Sequence, residues 1–168
     1  YFDERLVPHV FAEKDEDLYF IQGYLHAKFR LFQIDLQTKA AAGRASEIAG
    51  PKAINFDREQ RRLGMVYAAE NAMKEIEKDE QSKALFTAYT NGINAYIGSM
   101  KEAEMPIEYK LLNIKPEKWS NLRTALLLKM MAKMLSSGTE SDLAMTNAKA
   151  VFMPDELRLR YPQVPDSL

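Results

Sequence analysis

Cysteine is absent from all 168 residues. That excludes disulfides, thiolate nucleophiles and cysteine-held metals, and it leaves the compartment open. Histidine occurs only at His9 and His26, with no spacing of the kind that holds a metal. Neither sign of charge dominates: 23 Lys and Arg face 24 Asp and Glu, for a net charge of −1. No global field therefore directs the chain to nucleic acid or to an anionic membrane. No uninterrupted apolar run is long enough to span a bilayer. There is no internal repeat, low-complexity tract, dedicated calcium loop, phosphate loop or zinc signature. Since Tyr1 stands first in place of Met, the chain is expected to be a processed one, from which a leader has been removed or which has been trimmed.

What is present is ordinary for a soluble globular protein: 46% hydrophobic and 28% charged residues, on a chain long enough to bury one sizeable core. Residues 1–168 are read as a single unit. Leu6 to Ala12 is apolar with Pro8 inside it, the pattern of an edge strand or an extended lead-in. Glu13, Asp15, Glu16 and Asp17 suit a helix N-terminus, where carboxylates meet the positive end of the dipole. Leu18, Ile21, Leu25, Phe29, Phe32 and Leu36 then follow at helical spacing, and Phe20, Tyr24, Ala27, Leu31 and Ile34 fill a second face. A helix that is apolar on two sides needs cover on two sides. Further helices are expected at Asp57–Lys78, Gln81–Met100, Asn121–Leu135 (with Ser120 as N-cap) and Ser141–Phe152. The tail from Tyr161 to Leu168 should be extended around Pro162 and Pro165.

The candidate chemistry is sparse. Neither histidine stands in a sequence arrangement that marks a Ser-His-Asp triad, although triads are spatial, so both read first as structural. Arg30, inside the apolar helix near Gln33 and Asp35, is expected to be a buried hub with ion-pair or hydrogen-bond partners, since an unpaired buried charge is costly. Met130, Met131, Met134 and Leu135 precede a Ser136-Ser137-Gly138 break. Flexible methionines suit either a core or a pocket that accepts varied apolar groups. Glu140 and Asp142 beside the break can either supply a ligand to a hard cation or cap the next helix.

Taken in order, Pro8-His9 with Ala12, Gly23-Tyr24, His26-Ala27, Arg30-Leu31-Phe32-Gln33, Gly43-Arg44, Glu47, Gly50, Asp57, Arg61-Arg62, Tyr89, Gly92, Asn94-Ala95-Tyr96, Pro116 and Trp119 resemble the smaller α chain of the penicillin acylase family. Lys28-Phe29 departs from the family's usual Gln-Asp and removes a local acid next to Arg30. The resemblance implies an α+β fold in which this mostly helical chain is the α-subunit part of a four-layer αββα N-terminal nucleophile hydrolase, completed by a separate β subunit from the same precursor. It implies amide hydrolysis by the β chain's N-terminal Ser, with its own α-amino group as base and oxyanion donors also from the β chain. No catalytic residue is expected in this chain. It implies that Met131, Met134 and Leu135 line the acyl pocket of a small-molecule N-acyl amide, a β-lactam side-chain amide or an N-acyl-homoserine lactone. Met134 and Leu135 stand where penicillin G acylases carry an Arg and an aromatic residue, which favours an aliphatic acyl chain. It further implies one carboxylate, Asp142 or Glu140, on a structural calcium otherwise held by the β chain, and a periplasmic or secreted location. The rival from another class is a stand-alone helical interaction protein without catalysis.

The two-sided apolar helix predicts that the chain expressed without a partner is inactive and poorly soluble or partly unfolded. Circular dichroism and thermal melting check this, and a cooperative, monomeric fold would contradict it.

Overall fold

The computed structural model describes residues 1–136 and 139–161, with backbone alone at 139 and 140. The expected extended tail at 162–168 and the Ser137-Gly138 break lie outside the described residues. Among those described there is no strand, and the extended pairing is a single antiparallel bridge between Phe2 and Pro8. The helices are α1 (Asp15–Ala41), α2 (Ser46–Ala49), α3 (Ile54–Arg62), α4 (Met65–Ile76), α5 (Glu80–Ser99), α6 (Ile107–Leu112), α7 (Asn121–Leu135), α8 (Thr139–Val151) and α9 (Pro154–Arg160). None of them is long and apolar enough to cross a membrane. The contacts divide the chain into two compact units, Tyr1–Met131 and Ala132–Leu168.

In the first unit, α1 starts in the acidic run, with Asp15, Glu16 and Asp17 in its first turn. It kinks at Arg30, where the backbone leaves helical geometry (φ −141°, ψ 22°). Its buried face is Gly23, Ala27, Leu31, Ile34, Asp35 and Thr38. The first expected stripe is the less covered one: Leu18, Phe29 and Leu36 are exposed. The main packing is of α1 on α5. It depends on two glycines, because a Cβ on Gly23 would lie 2.1 Å from the Tyr89 carbonyl oxygen and one on Gly92 would lie 1.9 Å from that of Phe20. Only the absence of side chains lets the two backbones meet.

Two apolar clusters flank this crossing. Ala27, Leu31 and Ile34 join Tyr89, Ile93, Tyr109 and Trp119 in one. Ala41, Met65, Ala69 and Met73 join Ala125 and Leu126 in the other. Before α1, the Asp3 carboxylate accepts the amide hydrogens of Arg5 and Val7. These bonds hold a tight turn in which Leu6 has a left-handed backbone (φ 60°).

The single helix expected over Asp57–Lys78 is two. Gly64 (φ 68°) takes the left-handed position after α3 and ends it. The apolar spacing runs through this glycine, so periodicity alone does not mark the break. α7 has the expected bounds, and α5 and α8 match the expected helices to within two residues at each end. The short helices α2, α6 and α9 carry too few turns to show a periodic stripe.

In the second unit, α9 follows Met153, whose amide donates to Glu156 at 3.0 Å, and Pro154 fills its first position. The Arg160 guanidinium lies 4.7 Å from the Phe152 ring centroid. Leu143, Val151, Met153 and Leu159 are exposed.

Gly23→Ala and Gly92→Ala should each lower stability by about 2 kcal/mol or more, since backbone has to move to admit the methyl group. Gly98→Ala, on the same α5 but in open space, should raise it by about 0.5–1 kcal/mol. Denaturant midpoints of the native preparation test both, and an unchanged midpoint for Gly23→Ala would show that the helices do not meet there.

Candidate functional site

The N-terminal half of α7 is fixed by polar contacts that reach back to α1. Arg123 donates to the Asp35 carboxylate and, at 3.0 Å, to the Thr38 hydroxyl. The Thr38 hydroxyl donates in turn to the Asp35 carbonyl at 2.9 Å. The Tyr109 hydroxyl donates to the other Asp35 oxygen at 2.9 Å. All four residues are buried. The Arg123 guanidinium carbon lies over the Trp119 ring, 4.3 Å from its centroid. Trp119 is clamped by both amide atoms of Asn94 on α5 and donates its indole hydrogen to Thr124 on α7.

A second group continues from the first. The Lys39 ammonium, itself buried, donates to Glu117 and at 3.5 Å to Glu47. Arg44 forks onto Glu47, at 2.7 and 2.8 Å, and reaches Glu117 at 2.9 Å. Three cations (Lys39, Arg44, Arg123) thus meet three carboxylates (Asp35, Glu47, Glu117), so no net charge is left out of water. Bonds from Lys39 and then Arg44 pull the Glu117 carboxyl down to about 2. Arg44 does the same in direction to Glu47. Burial, and then the Asp35 charge, push the Tyr109 phenol well above its ordinary value. Asp57, expected at a helix start, caps the turn after α1: it accepts the amide hydrogens of Ala45 and Ser46, both at 2.8 Å.

Beyond this anchored half, α7 carries the expected pocket residues. Met131, at the end of the first unit, is 57% exposed. Met134 and Leu135, in the second unit, are 60% and 81% exposed. Their spacing of three and four residues puts them on one side of the helix. They are not core residues of this chain, so the core alternative for them is removed. Met130 of this stretch is partly buried and packs, like Leu122, against the second cluster.

Asp142 is exposed on α8. Its carbonyl accepts from the Thr146 hydroxyl at 2.8 Å, and its carboxylate takes no partner among the described residues. The Glu140 side chain lies outside the described residues. No group of three or more His, Asp or Glu side chains able to hold a metal exists among those described. Asp142 therefore has the chemistry of one hard-cation ligand, with the rest of any site to come from elsewhere.

The histidines are engaged structurally. His26 Nδ1 pairs with the Tyr89 hydroxyl at 2.9 Å, and burial lowers its pKa. His9 pairs with Asp3 at 3.3 Å and stacks on Tyr1. Neither holds a Ser or Thr hydroxyl among the described residues. The expectation of a buried Arg30 is corrected: Arg30 is exposed and unpaired among the described residues, at the kink where α1 leaves helical geometry. The buried arginine is Arg123. Its signal in the sequence is weak, a lone cation among Leu122, Ala125 and Leu126 four residues after Trp119. Lys28, at the departure from the family pattern, lies over the rings of Phe2 and Phe29.

Residues 1–166 match the family profile described as penicillin amidase. Penicillin acylase 2 proenzyme of Pseudomonas sp. (strain SE83) is 32% identical over 155 residues, 92% of this chain and 20% of that protein. Acyl-homoserine lactone acylase QuiP of Pseudomonas syringae pv. syringae (strain B728a) is 27% identical over 160 residues, 95% of this chain and 19% of that protein. The chain therefore spans about a fifth of the length of these curated relatives. A solved structure, thermostable penicillin G acylase from Alcaligenes faecalis, superposes with a TM-score of 0.75 at 23% identity, over 100% of this chain and 94% of that one. The likeness shows a shared fold.

The depressed Glu117 carboxyl gives a signed pH dependence. Its ordinary value is 4.5 and its folded value about 2. The stabilisation is thus complete above the ordinary value and is lost as pH falls through the folded one. Because Glu117 is 39% exposed, solvent screens the effect. Glu117→Gln should flatten the fall in melting temperature between those two pH values, compared with the parent. Parallel slopes for parent and variant would remove Glu117 from the network.

Proposed function

The chain belongs to the penicillin amidase family, and from that premise we propose that it is the α subunit of an amidohydrolase whose nucleophile is the N-terminal Ser of a separate β subunit from the same precursor. The single observation that carries this reading is the contrast in coverage. The match takes in 94% of one solved chain of a penicillin G acylase but only about a fifth of the curated relatives, one of which is named a proenzyme. Exposed apolar side chains on α7, α8 and α9 agree with a partner that covers them.

In this reading the Ser hydroxyl of the β chain attacks the amide carbonyl, and the same residue's α-amino group takes the proton. The present chain supplies shape. Its mostly helical fold would complete the helical part of a four-layer αββα sandwich whose sheets lie with the β subunit. Met131, Met134 and Leu135 would face an aliphatic acyl chain of an N-acyl substrate, a penicillin-type amide or an N-acyl-homoserine lactone. Asp142, whose carboxylate takes no partner among the described residues, would give one oxygen to a structural calcium, with Glu140 as the other candidate. The location would be the periplasm or the exterior.

The test is to purify the native protein and record intact masses and amide hydrolysis together. A second, larger chain beginning with Ser, in a preparation that releases free acid from N-acyl amides, is the expected result. A single active chain, or two chains without amidase activity, would refute the reading.

Two further outcomes follow from the side chains. Chelation should lower the melting temperature of the assembly and leave the chemistry intact, and Asp142→Ala should remove that response. If neither chelator nor substitution shifts the melt, calcium is not held here. Leu135→Trp should shorten the longest accepted acyl chain. Each methylene kept out of an apolar pocket is worth about 0.8 kcal/mol, so neighbouring lengths should separate by roughly three- to tenfold in kcat/KM. An unchanged length profile in a folded variant would move substrate choice to the β chain alone.

A further inference from the structure

The chain has nine methionines and no cysteine. Methionine is therefore its only sulfur-bearing residue, and no thiol in it competes for an oxidant. The single indole, Trp119, is buried. The fold sorts the methionines by access. Met65 and Met73 are buried, Met131, Met134 and Met153 are exposed, and the other four are half-buried. Two of the exposed three stand three residues apart on one side of α7. Resting on the α-subunit reading and its acyl pocket, we propose that Met131 and Met134 are modification sites, at which oxidation to the sulfoxide by a peroxide restricts the enzyme to short acyl chains.

The step balances with hydrogen peroxide as the one co-reactant. A sulfur lone pair attacks one peroxide oxygen, the O–O bond breaks and an S–O bond forms. The proton of the transferred hydroxyl passes to the departing hydroxide, which leaves as water. The sulfur loses two electrons and the peroxide gains them. Attack needs an open approach to the sulfur. That requirement separates Met131 from Met130, its neighbour in sequence, which packs against the second apolar cluster. A partner that covered this side of α7 completely would close the approach. A pocket leaves it open, because an opening that admits an acyl chain also admits the smaller peroxide.

Oxidation reverses the side chain's preference for its surroundings. The thioether is polarizable and only a weak acceptor, so methylene groups pack well against it. The sulfoxide is polar and is hydrated in the empty pocket. An acyl chain laid against it strips that water and offers no donor in return, which is costly. The cost falls on chains long enough to reach the oxidised groups and spares shorter ones. Sulfoxide reductases return the thioether, so the change is reversible.

The test uses the assembly made from the whole precursor. It is treated with hydrogen peroxide, quenched with catalase, mapped by peptide mass spectrometry and assayed for kcat/KM across a series of acyl amides. Met131 and Met134 should gain one oxygen each before Met130, Met65 and Met73 do. The value for the longest accepted chain should fall about tenfold, and that for the shortest by no more than about twofold. A mixture of sulfoxide reductases for both epimers, with dithiothreitol, should restore the profile. The double variant Met131→Leu/Met134→Leu should keep its own untreated profile after peroxide. Met153→Leu, which removes an exposed methionine outside α7, should respond as the parent does. Met131 and Met134 left intact while Met153 is oxidised, an equal loss at every chain length, or a double variant as sensitive as the parent would each overturn the proposal. Failure of the α-subunit reading is distinct: the untreated preparation then shows no larger chain and releases no acid, which overturns the consequence for acyl chains before any peroxide is added.

Discussion

The ion pair between Asp35 and Arg123 is the contact on which the arrangement of α1, α6 and α7 depends. Both groups are out of water, and neither can be buried alone: deleting one partner of such a pair typically costs about 3–5 kcal/mol. The surrounding contacts follow from that cost. Tyr109 adds a bond to the carboxylate, Thr38 accepts from the guanidinium, and the guanidinium carbon lies over the Trp119 ring. Lys39, Arg44, Glu47 and Glu117 extend the pairing toward the surface, where solvent takes over. Because Tyr109 belongs to α6 and Arg123 to α7, the pair draws both helices onto α1, and the apolar cluster around Trp119 closes over the junction.

Much of this was readable along the chain, and the unreadable part has a physical reason. α1, α5 and α7 are long and periodic, so their apolar spacing gives each a position and, for α7, its bounds. The acidic start of α1 is a local electrostatic preference and survives folding unchanged. The break at Gly64 needs a left-handed backbone, which apolar periodicity does not report. The polar network escapes a linear reading because its partners lie far apart: 88 residues separate Asp35 from Arg123, and 73 separate Arg44 from Glu117. Arg30 and Arg123 illustrate the limit. Both sit among apolar residues, and what separates them is which side of the helix meets a neighbour. That depends on the glycine crossing of α1 and α5, not on the arginine's own surroundings in sequence.

The candidate site divides in the same way. Spacing puts Met131, Met134 and Leu135 on one side of α7, and the fold leaves all three exposed while Met130 is partly buried against the second cluster. The roles proposed for them as acyl-pocket residues, and for Asp142 toward calcium, come from family resemblance. The structure adds that Met131, Met134 and Leu135 are exposed in this chain. The chain's proposed part in catalysis is to shape and cover a site whose reacting groups lie in another polypeptide.

That separation of shape from chemistry is tested most directly by covalent labelling. The assembled protein is treated with a sulfonyl fluoride until amidase activity is gone, and the intact mass of each chain is recorded. The account predicts that this chain keeps its mass, while the larger chain gains a single label at its first serine. A label on this chain that tracks the loss of activity would contradict it.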